Sequence, residues 1–251
     1  MKILTNPKRK KLVISLLSAL LAFSVITVGF FIYVSNYYHA DEVAIETHKE
    51  ICEGYANLNF PDEKTAVFSP ESATVGLIFY PGGKVEFSAY LPLMAACAER
   101  GILCVLVEMP FNLAVLDVNA ANGIRETYPE IEHWYIGGHS LGGSMAATYV
   151  ESNCEYFNGL VLLGAYSTSD LSALPIEILS IYGSEDGVMN REKYEKYKPN
   201  IQGDLEEHVI DGGSHAYFGV YGNQNGDGVA TITNEEQINI TAEIIAKFIF
   251  E

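Results

Sequence analysis

Basic residues are scarce in this chain of 251 residues, which holds 15 lysines and arginines against 32 aspartates and glutamates, a formal net charge of −17. Five of the basic residues precede Leu12, so the rest of the chain has 10 against 32, a net charge of −22. A body this acidic repels polyanions, and we do not expect it to bind nucleic acid. The solubility of an exported domain is a sufficient reason for the acidic surplus, which therefore indicates no particular substrate.

Cysteines are few, and no two form a C-x-x-C pair, which argues against zinc-finger and dithiol redox motifs. Cys97 and Cys104 fall in an expected helix and an expected strand, where they should pack as small apolar groups. The chain also lacks internal repeats and low-complexity segments, so its body is expected to form one domain. Spacing alone does not establish any disulfide among Cys52, Cys97, Cys104 and Cys154.

Leu12–Val34 is an apolar stretch of 23 residues without a formal charge, which as a helix would span about 34 Å at ~1.5 Å per residue. Basic residues precede this stretch, while Asp41 and Glu42 follow it, which predicts a cytoplasmic N-terminus and an extracytoplasmic body. The alternative is a cleaved signal peptide, whose apolar core usually has about 7–15 residues. Since Tyr38-His39-Ala40 is a poor cleavage site, an uncleaved signal anchor is favoured.

Short apolar runs alternate with helix-forming stretches in the rest of the chain. Thr74–Tyr80 and Ile102–Met109 are typical of parallel strands buried on both faces. Helices are expected over Phe87–Arg100, over most of Leu113–Tyr128 and over Glu235–Phe250. This alternation predicts an α/β fold, a mostly parallel doubly wound sheet with helices on both faces. Further strands are expected at Lys64–Phe68, Ile131–Ile136, Gly159–Gly164, Glu177–Tyr182 and Glu206–Ile210.

These patterns divide the chain into four predicted segments. A short amphipathic juxtamembrane helix is expected over Asp41–Tyr55, followed by a turn at Asn59–Asp62 before the first strand. The segments are a basic cytoplasmic tail (residues 1–11), a transmembrane signal anchor (12–34), a juxtamembrane linker and helix (35–63) and the α/β domain (64–251).

A serine motif, G-x-S-x-G, occupies Gly138–Gly142 and places Ser140 between an expected strand and the helix-forming stretch Leu141–Val150. A strand, a tight turn and a helix are the setting that holds a nucleophilic serine in a strained, exposed backbone position. The glycines leave room where the strand folds sharply into the helix. The alternative is a Gly-rich turn that binds phosphate or only packs closely.

A serine becomes a nucleophile only with a base within hydrogen-bond reach. Of the six histidines, only His215 lies in a loop just beyond the carboxyl end of an expected strand, where open α/β sheets form their sites. An ordinary surface-loop histidine is the alternative. The other five lie in the juxtamembrane segment (His39, His48), at the far end of the serine strand (His133), inside a strand (His208) or beside the serine with a diverging side chain (His139).

Four motifs together are more specific than the serine motif alone. They are Y-P-G-G at Tyr80–Gly83, G-H-S-L-G-G at Gly138–Gly143, G-S-E-D-G-V at Gly183–Val188 and G-G-S-H at Gly212–His215. From about Thr65 to its C-terminus the chain resembles the α/β-hydrolase superfamily, in particular its small lid-less serine hydrolases.

The resemblance implies a catalytic triad in the order Ser140, Asp186, His215. Asp186 would fix the tautomer of the histidine and stabilise its imidazolium form. Two other acids are close in sequence. Glu185 is expected to point elsewhere, and Asp211 is too near His215 along the same loop.

The resemblance also implies an oxyanion hole of two backbone N–H groups. One is that of Leu141 and the other that of Gly83, in a loop where Pro81-Gly82-Gly83 replaces the His-Gly dipeptide common in relatives. Many relatives insert a cap domain between the strands that here end at Gly164 and begin at Glu177. Only about a dozen residues separate these strands, so the site is expected to be open.

The segment Phe218–Thr233 is the least like an ordinary hydrolase. Its Asn223–Gly228 stretch is similar to a calcium loop, but the twelfth position from Asn223 is Asn234 rather than the bidentate glutamate such a loop needs. No metal site is therefore predicted, and the segment is interpreted as a Gly-rich hairpin beside His215.

Together these patterns predict a membrane-anchored extracytoplasmic serine hydrolase that acts on a small carboxylic ester through an acyl-enzyme. No cofactor is implied, and the expected membrane contact is through residues 12–34. A thioesterase or a peptidase of the same fold is an alternative. So is a non-catalytic surface module that uses the cleft for binding, although the intact order of the triad argues against it.

Overall fold

The structure is a computed structural model that describes residues 7–51, 54, 57–201 and 203–251, without the side chain of Arg9. Lys2 of the basic tail and Cys52 lie outside the described residues. The chain divides into two compact units, one that ends at Tyr37 and one that comprises Tyr38–Glu251.

In the described residues the first unit consists of one helix, α1 (Pro7–Ser35), in which most apolar side chains are exposed. Its segment Lys10–Ser35 has a mean hydropathy of 2.4 over its most apolar window. Within the described part of the chain it is the one helix long and apolar enough to cross a membrane. A single transmembrane helix fits this element, which is a candidate membrane anchor or signal sequence.

The second unit is organised around one sheet of eight strands in the described residues. Its order is β1-β2-β4-β3-β5-β6-β7-β8, and every pair is parallel except β1/β2 and β2/β4. This arrangement confirms the predicted α/β fold. The strands are β1 (Leu58–Asp62), β2 (Thr65–Phe68), β3 (Val75–Tyr80), β4 (Ile102–Val107), β5 (His133–His139), β6 (Gly159–Leu163), β7 (Glu177–Gly183) and β8 (Leu205–Ile210).

Helices cover both faces of this sheet. Leu77 and Phe79 of β3 pack into one core layer and Ile78 and Tyr80 into the other, as the two-residue period of a strand requires. The helices Leu91–Ala98 and Asn234–Phe250 cover the first layer, and the helix Leu141–Glu151 covers the second. The helices of this unit are α2 (Glu42–Ile51), α3 (Leu91–Ala98), α4 (Ile124–Thr127), α5 (Leu141–Glu151), α6 (Arg191–Tyr197) and α7 (Asn234–Phe250).

The turn expected at Asn59–Asp62 is wrong, because these residues belong to β1. Leu58 pairs with Phe68, and the register shifts between Asn59 and Asp62. Proline is tolerated here because β1 is an edge strand, where one row of N–H groups needs no ladder partner. The sheet therefore begins with a strand that lies before residue 64, where the first strand was expected.

The prediction that Leu113–Tyr128 is largely helical is also wrong. The structure has a short 3-10 turn at Ala114–Leu116, hydrogen-bonded turns and the single-turn α4. Asp, Asn and Gly residues between them favour turns over helix. The buried hydroxyl of Tyr80, a residue of β3, also fixes this segment against the sheet. It donates to the Val118 carbonyl at 2.9 Å and accepts from the Ala121 N–H at 2.8 Å.

Candidate active site

Ser140 lies at the turn from β5 into α5 with φ 52° and ψ −118°. A positive φ is strained for a residue with a side chain, and it occurs here at the position where a nucleophilic serine is expected. A Cβ atom on Gly138 would lie 2.6 Å from the Tyr80 carbonyl oxygen, and one on Gly142 would be closer still to the same atom. Only glycine fits at both positions, so the motif is a steric requirement of the turn.

Asp186 and His215 are hydrogen-bonded at the carboxyl ends of β7 and β8. His215 Nδ1 lies 2.8 Å from Asp186 Oδ2, and both side chains are buried. Asp186 Oδ1 accepts the N–H groups of Val188 and Met189 at 3.0 and 2.8 Å, which fixes the carboxylate on its own loop. Because a carboxylate only accepts, the histidine carries its proton on Nδ1 and leaves Nε2 basic.

Ser140 and the acid–histidine pair both lie close to the end of β6. The Ser140 N–H donates to the Leu163 carbonyl at 2.9 Å. The next residue, Gly164, has φ 52°, and a Cβ atom there would lie 2.9 Å from His215 Nδ1 and 3.1 Å from Asp186 Oδ2. Glycine at 164 therefore lets the pair approach the strand that supports Ser140.

His215 Nε2 is buried and has no hydrogen-bond partner among the described residues, so the contact with Ser140 Oγ is not made in this state. Hydrogen bonds between a nucleophile and its base are often long before substrate binds and tighten in the complex.

The loop after β3 presents the N–H of Gly83 beside Leu141. Its other N–H groups have acceptors: that of Gly82 donates to Tyr90 Oη at 3.1 Å, and that of Lys84 donates to the Asn112 carbonyl at 2.7 Å. Gly83 N has no acceptor among the described residues, and a Cβ atom there would be 2.9 Å from Leu141 Cδ2. Leu141 is the first residue of α5, and a helix leaves its first N–H groups unpaired.

A buried pair, Tyr90 and His139, supports this loop and was not predicted from the sequence. Tyr90 Oη accepts the Gly82 N–H at 3.1 Å and is hydrogen-bonded to His139 Nδ1 at 2.7 Å. The His139 ring lies 4.3 Å from the His215 ring. Burial, and secondarily the neighbouring His215, hold the pKa of His139 well below 6.5. The only signal in the sequence was the apolar helix that carries Tyr90.

The remaining histidines lie elsewhere. His48 is buried in α2, and burial lowers its pKa. His133 is exposed at the start of β5, and His208 contacts Glu206 within β8. His39 contacts Glu86.

The loops that surround the site differ in part from those expected. Residues 164–176 contain no helix, so no cap domain occupies that position. The hairpin expected at Phe218–Thr233 is wrong, because the segment forms hydrogen-bonded turns without a strand. Its glycines and asparagines favour turns over a ladder.

The segment just before α2 is hydrogen-bonded to two loops at the site, the loop after β3 and the loop after His215. Tyr38 N–H donates to the Lys84 carbonyl at 2.7 Å, and the Glu86 N–H donates to the Tyr38 carbonyl at 2.9 Å. Asp41 N–H donates to the Val220 carbonyl at 2.8 Å. We call Tyr38–Asp41 the strap, because it joins the loop after β3 to the loop after His215.

Comparison with known proteins places this fold in a family. The family model described as the alpha/beta hydrolase family matches residues 76–239, more than half of the chain. Comparison with the curated proteins gave no match.

Among solved structures, Est1E from Butyrivibrio proteoclasticus has 11% identity and a TM-score of 0.56 over 77% of this chain and 98% of its own. Dienelactone hydrolase from Anabaena variabilis has 16% identity and a TM-score of 0.54 over 73% and 89%. A membrane phospholipase A, a bacterial virulence factor, has 11% identity and a TM-score of 0.58 over 93% and 97%. The identities are low, so these structures show a shared fold. With the family match, they show that the chain belongs to the alpha/beta hydrolase family.

Proposed function

We propose that the protein is a membrane-anchored serine hydrolase that cleaves small carboxylic esters. The observation that carries the proposal is the buried Asp186–His215 hydrogen bond of 2.8 Å beside a serine held at φ 52°. A positioned base with an unpaired Nε2, next to a serine in a strained turn, is the arrangement that activates a weak hydroxyl nucleophile.

In the first half of the reaction, Ser140 Oγ attacks the ester carbonyl carbon while its proton passes to His215 Nε2. The tetrahedral oxyanion is stabilised by the N–H groups of Leu141 and Gly83. Collapse of this intermediate breaks the bond to the alkoxy group, which leaves as an alcohol with the proton from His215. Asp186 holds the imidazolium in place throughout.

In the second half, water attacks the acyl-Ser140 ester. His215 Nε2 takes the water proton and then returns a proton to Ser140 Oγ, so the carboxylic acid leaves and the enzyme is restored. All proton transfers use side chains of this chain, and the mechanism assigns no step to a cofactor.

The proposed location is the outer face of a cell membrane, with α1 as an uncleaved anchor. The apolar Lys10–Ser35 segment supports an anchor, and the five basic residues before Leu12 favour a cytoplasmic N-terminus.

The test is hydrolysis of p-nitrophenyl acetate by wild type, Ser140→Ala and the control Ser152→Ala, which changes an exposed serine at the end of α5. We expect Ser140→Ala to lose about 10³-fold or more of kcat, because triad members act as a unit. Ser152→Ala should keep wild-type activity. Wild-type activity in Ser140→Ala would overturn the proposal.

A thioester and a peptide anilide are the further substrates of the same assay. Faster turnover of either would assign the protein to the thioesterases or the peptidases of this fold. Wild-type protein that is folded but inactive on all three would favour a non-catalytic binding module.

A further inference from the structure

Asp227 lies in the turn-rich segment after His215, at the position where the sequence is similar to a calcium loop. Its carboxylate accepts four backbone N–H groups. Oδ1 accepts from Gly187 at 3.1 Å, from His215 at 3.2 Å and from Gly228 at 2.9 Å. Oδ2 accepts from Ala216 at 2.8 Å.

These N–H groups belong to three different parts of the site. Gly187 follows Asp186 on the acid loop, His215 and Ala216 form the histidine loop, and Gly228 lies in the turn of Asp227 itself. A single side chain therefore connects the backbone beside Asp186 to the backbone of His215. Hydrogen bonds to an ionised carboxylate are about twice as strong as bonds between neutral groups, so this connection is a firm one.

The turn around Asp227 packs tightly against the acid loop. A Cβ atom on Gly187 would lie 2.5 Å from the Gly226 carbonyl oxygen and 2.9 Å from Gly228 N. A Cβ atom on Gly228 would overlap the Glu185 carbonyl oxygen. The sequence thus uses glycine on both sides of the contact, which lets the Asp227 carboxylate reach both loops.

Within the described residues, no lysine, arginine or histidine side chain lies within 4.0 Å of the Asp227 carboxylate as an ion-pair partner. Its charge is compensated by N–H groups of the loops that carry the acid and the base. That is the pattern of a residue that holds loops in place.

We propose that Asp227 is a positioning residue that sets the distance between Asp186 and His215. The proposal rests on the function proposed above, since it matters for catalysis only if this pair drives Ser140. Without the carboxylate, the acid loop and the histidine loop would lose their common acceptor, and His215 would sample positions away from Asp186. Loss of the carboxylate should lower kcat rather than raise KM, because Asp227 is not proposed to contact the substrate.

The experiment compares full-length Asp227→Asn and Asp227→Ala with wild type and with Asp211→Asn. The control removes the same charge from an exposed residue of the neighbouring turn. We expect Asp227→Asn to lower kcat about tenfold to a hundredfold with KM nearly unchanged, since small misplacements of catalytic groups cost about this much. Asp227→Ala should lose more, and Asp211→Asn should match wild type.

The second readout is the low-field proton resonance of His215 Nδ1, assigned by its loss in His215→Ala, which reports the Asp186–His215 hydrogen bond without any turnover. We expect it to weaken or move in Asp227→Asn and to stay in place in Asp211→Asn. Should Asp227→Ala fail to fold, Asp227→Asn alone decides. An unchanged resonance in a folded Asp227→Asn would overturn the proposal, whatever happens to kcat. An inactive wild type with a resonance that responds to Asp227 would refute the proposed function and leave the positioning role standing.

Discussion

At the residue scale, Ser140, Asp186 and His215 are assembled by backbone constraints as much as by their own side chains. Glycines at 138 and 142 leave room for the Tyr80 carbonyl at the serine turn, and glycine at 164 leaves room for the acid–histidine pair. A glycine motif is readable in a sequence because its steric cause is local. The Tyr90–His139 bond joins residues 49 positions apart, and no local pattern reports such a contact.

His215→Ala should abolish ester hydrolysis, with a loss of about 10³-fold or more in kcat, because Ser140 would lose its base. His208→Ala and His133→Ala should keep most of the activity, since both histidines lie outside the site. Steady-state rates on p-nitrophenyl acetate measure this. Activity that survives in His215→Ala would mean that another base serves Ser140.

His139 should make the protein less stable as the pH falls below about 6.5. Its folded-state pKa is lowered by burial, so between that value and 6.5 the unfolded chain binds a proton that the folded chain does not. As the pH is lowered through this range, the free energy of unfolding should therefore decrease, with a slope that approaches ~1.4 kcal/mol per pH unit for this one proton. Urea denaturation at several pH values measures the slope.

The matched variant for this prediction is His139→Asn, which cannot titrate in that range. Its unfolding free energy should depend less steeply on pH, although His48, whose pKa burial also lowers, contributes in the same direction. If the unfolding free energy depended equally steeply on pH in wild type and in His139→Asn, the pH dependence could not be assigned to His139.

At the scale of elements, the buried strands were predictable and the connections were not. Thr74–Tyr80 and Ile102–Met109 contain β3 and β4 because continuous apolar runs need burial on both faces. Leu113–Tyr128 is expected to be largely helical from its composition, whereas two hydrogen bonds with the Tyr80 hydroxyl hold it in turns. The strap was missed for the same reason, since its partners lie far away along the chain.

Tyr38→Ala should lower kcat severalfold and also lower the melting temperature. Tyr38 accepts from the Asn225 N–H through its hydroxyl at 3.1 Å, and its ring lies 5.8 Å from that of Tyr221, so the substitution loosens one side of the site. The control is Tyr156→Ala, which removes a half-exposed tyrosine elsewhere. Equal kcat in the two variants would show that the strap has no role in activity.

Short acyl chains should be the preferred substrates, because residues 164–176 form no helical cap over the cleft. Without a deep apolar tunnel, each further methylene would forfeit up to ~0.8 kcal/mol of burial. We expect kcat/KM on p-nitrophenyl esters to be flat or falling as the acyl chain lengthens, without activation by lipid interfaces. A steep rise toward long chains would show an acyl tunnel and a lipase-like role.

At the scale of the whole molecule, an apolar helix of 29 residues precedes an acidic α/β-hydrolase domain. The distribution of charge is a property of the sequence alone, and it carries the prediction of topology without any folded structure. After the first eleven residues the chain holds 10 basic residues against 32 acidic ones, and a body this acidic is expected to repel polyanions.

Protease added to intact cells should degrade the body and leave only a short N-terminal fragment. The basic residues before Leu12 favour this orientation over its inverse. Immunoblots with one tag at each terminus, before and after lysis, measure the accessible part. Protection of the C-terminal tag in intact cells would contradict the orientation.

The central claim is that Ser140 is an activated nucleophile, and covalent labelling by a fluorophosphonate tests it most directly. Full-length protein would be labelled, digested and analysed by mass spectrometry, beside Ser140→Ala and His215→Ala. We predict one adduct, on Ser140, that is absent in Ser140→Ala and forms far more slowly in His215→Ala. Folded wild-type protein that takes no label, or an adduct on another serine, would contradict the account.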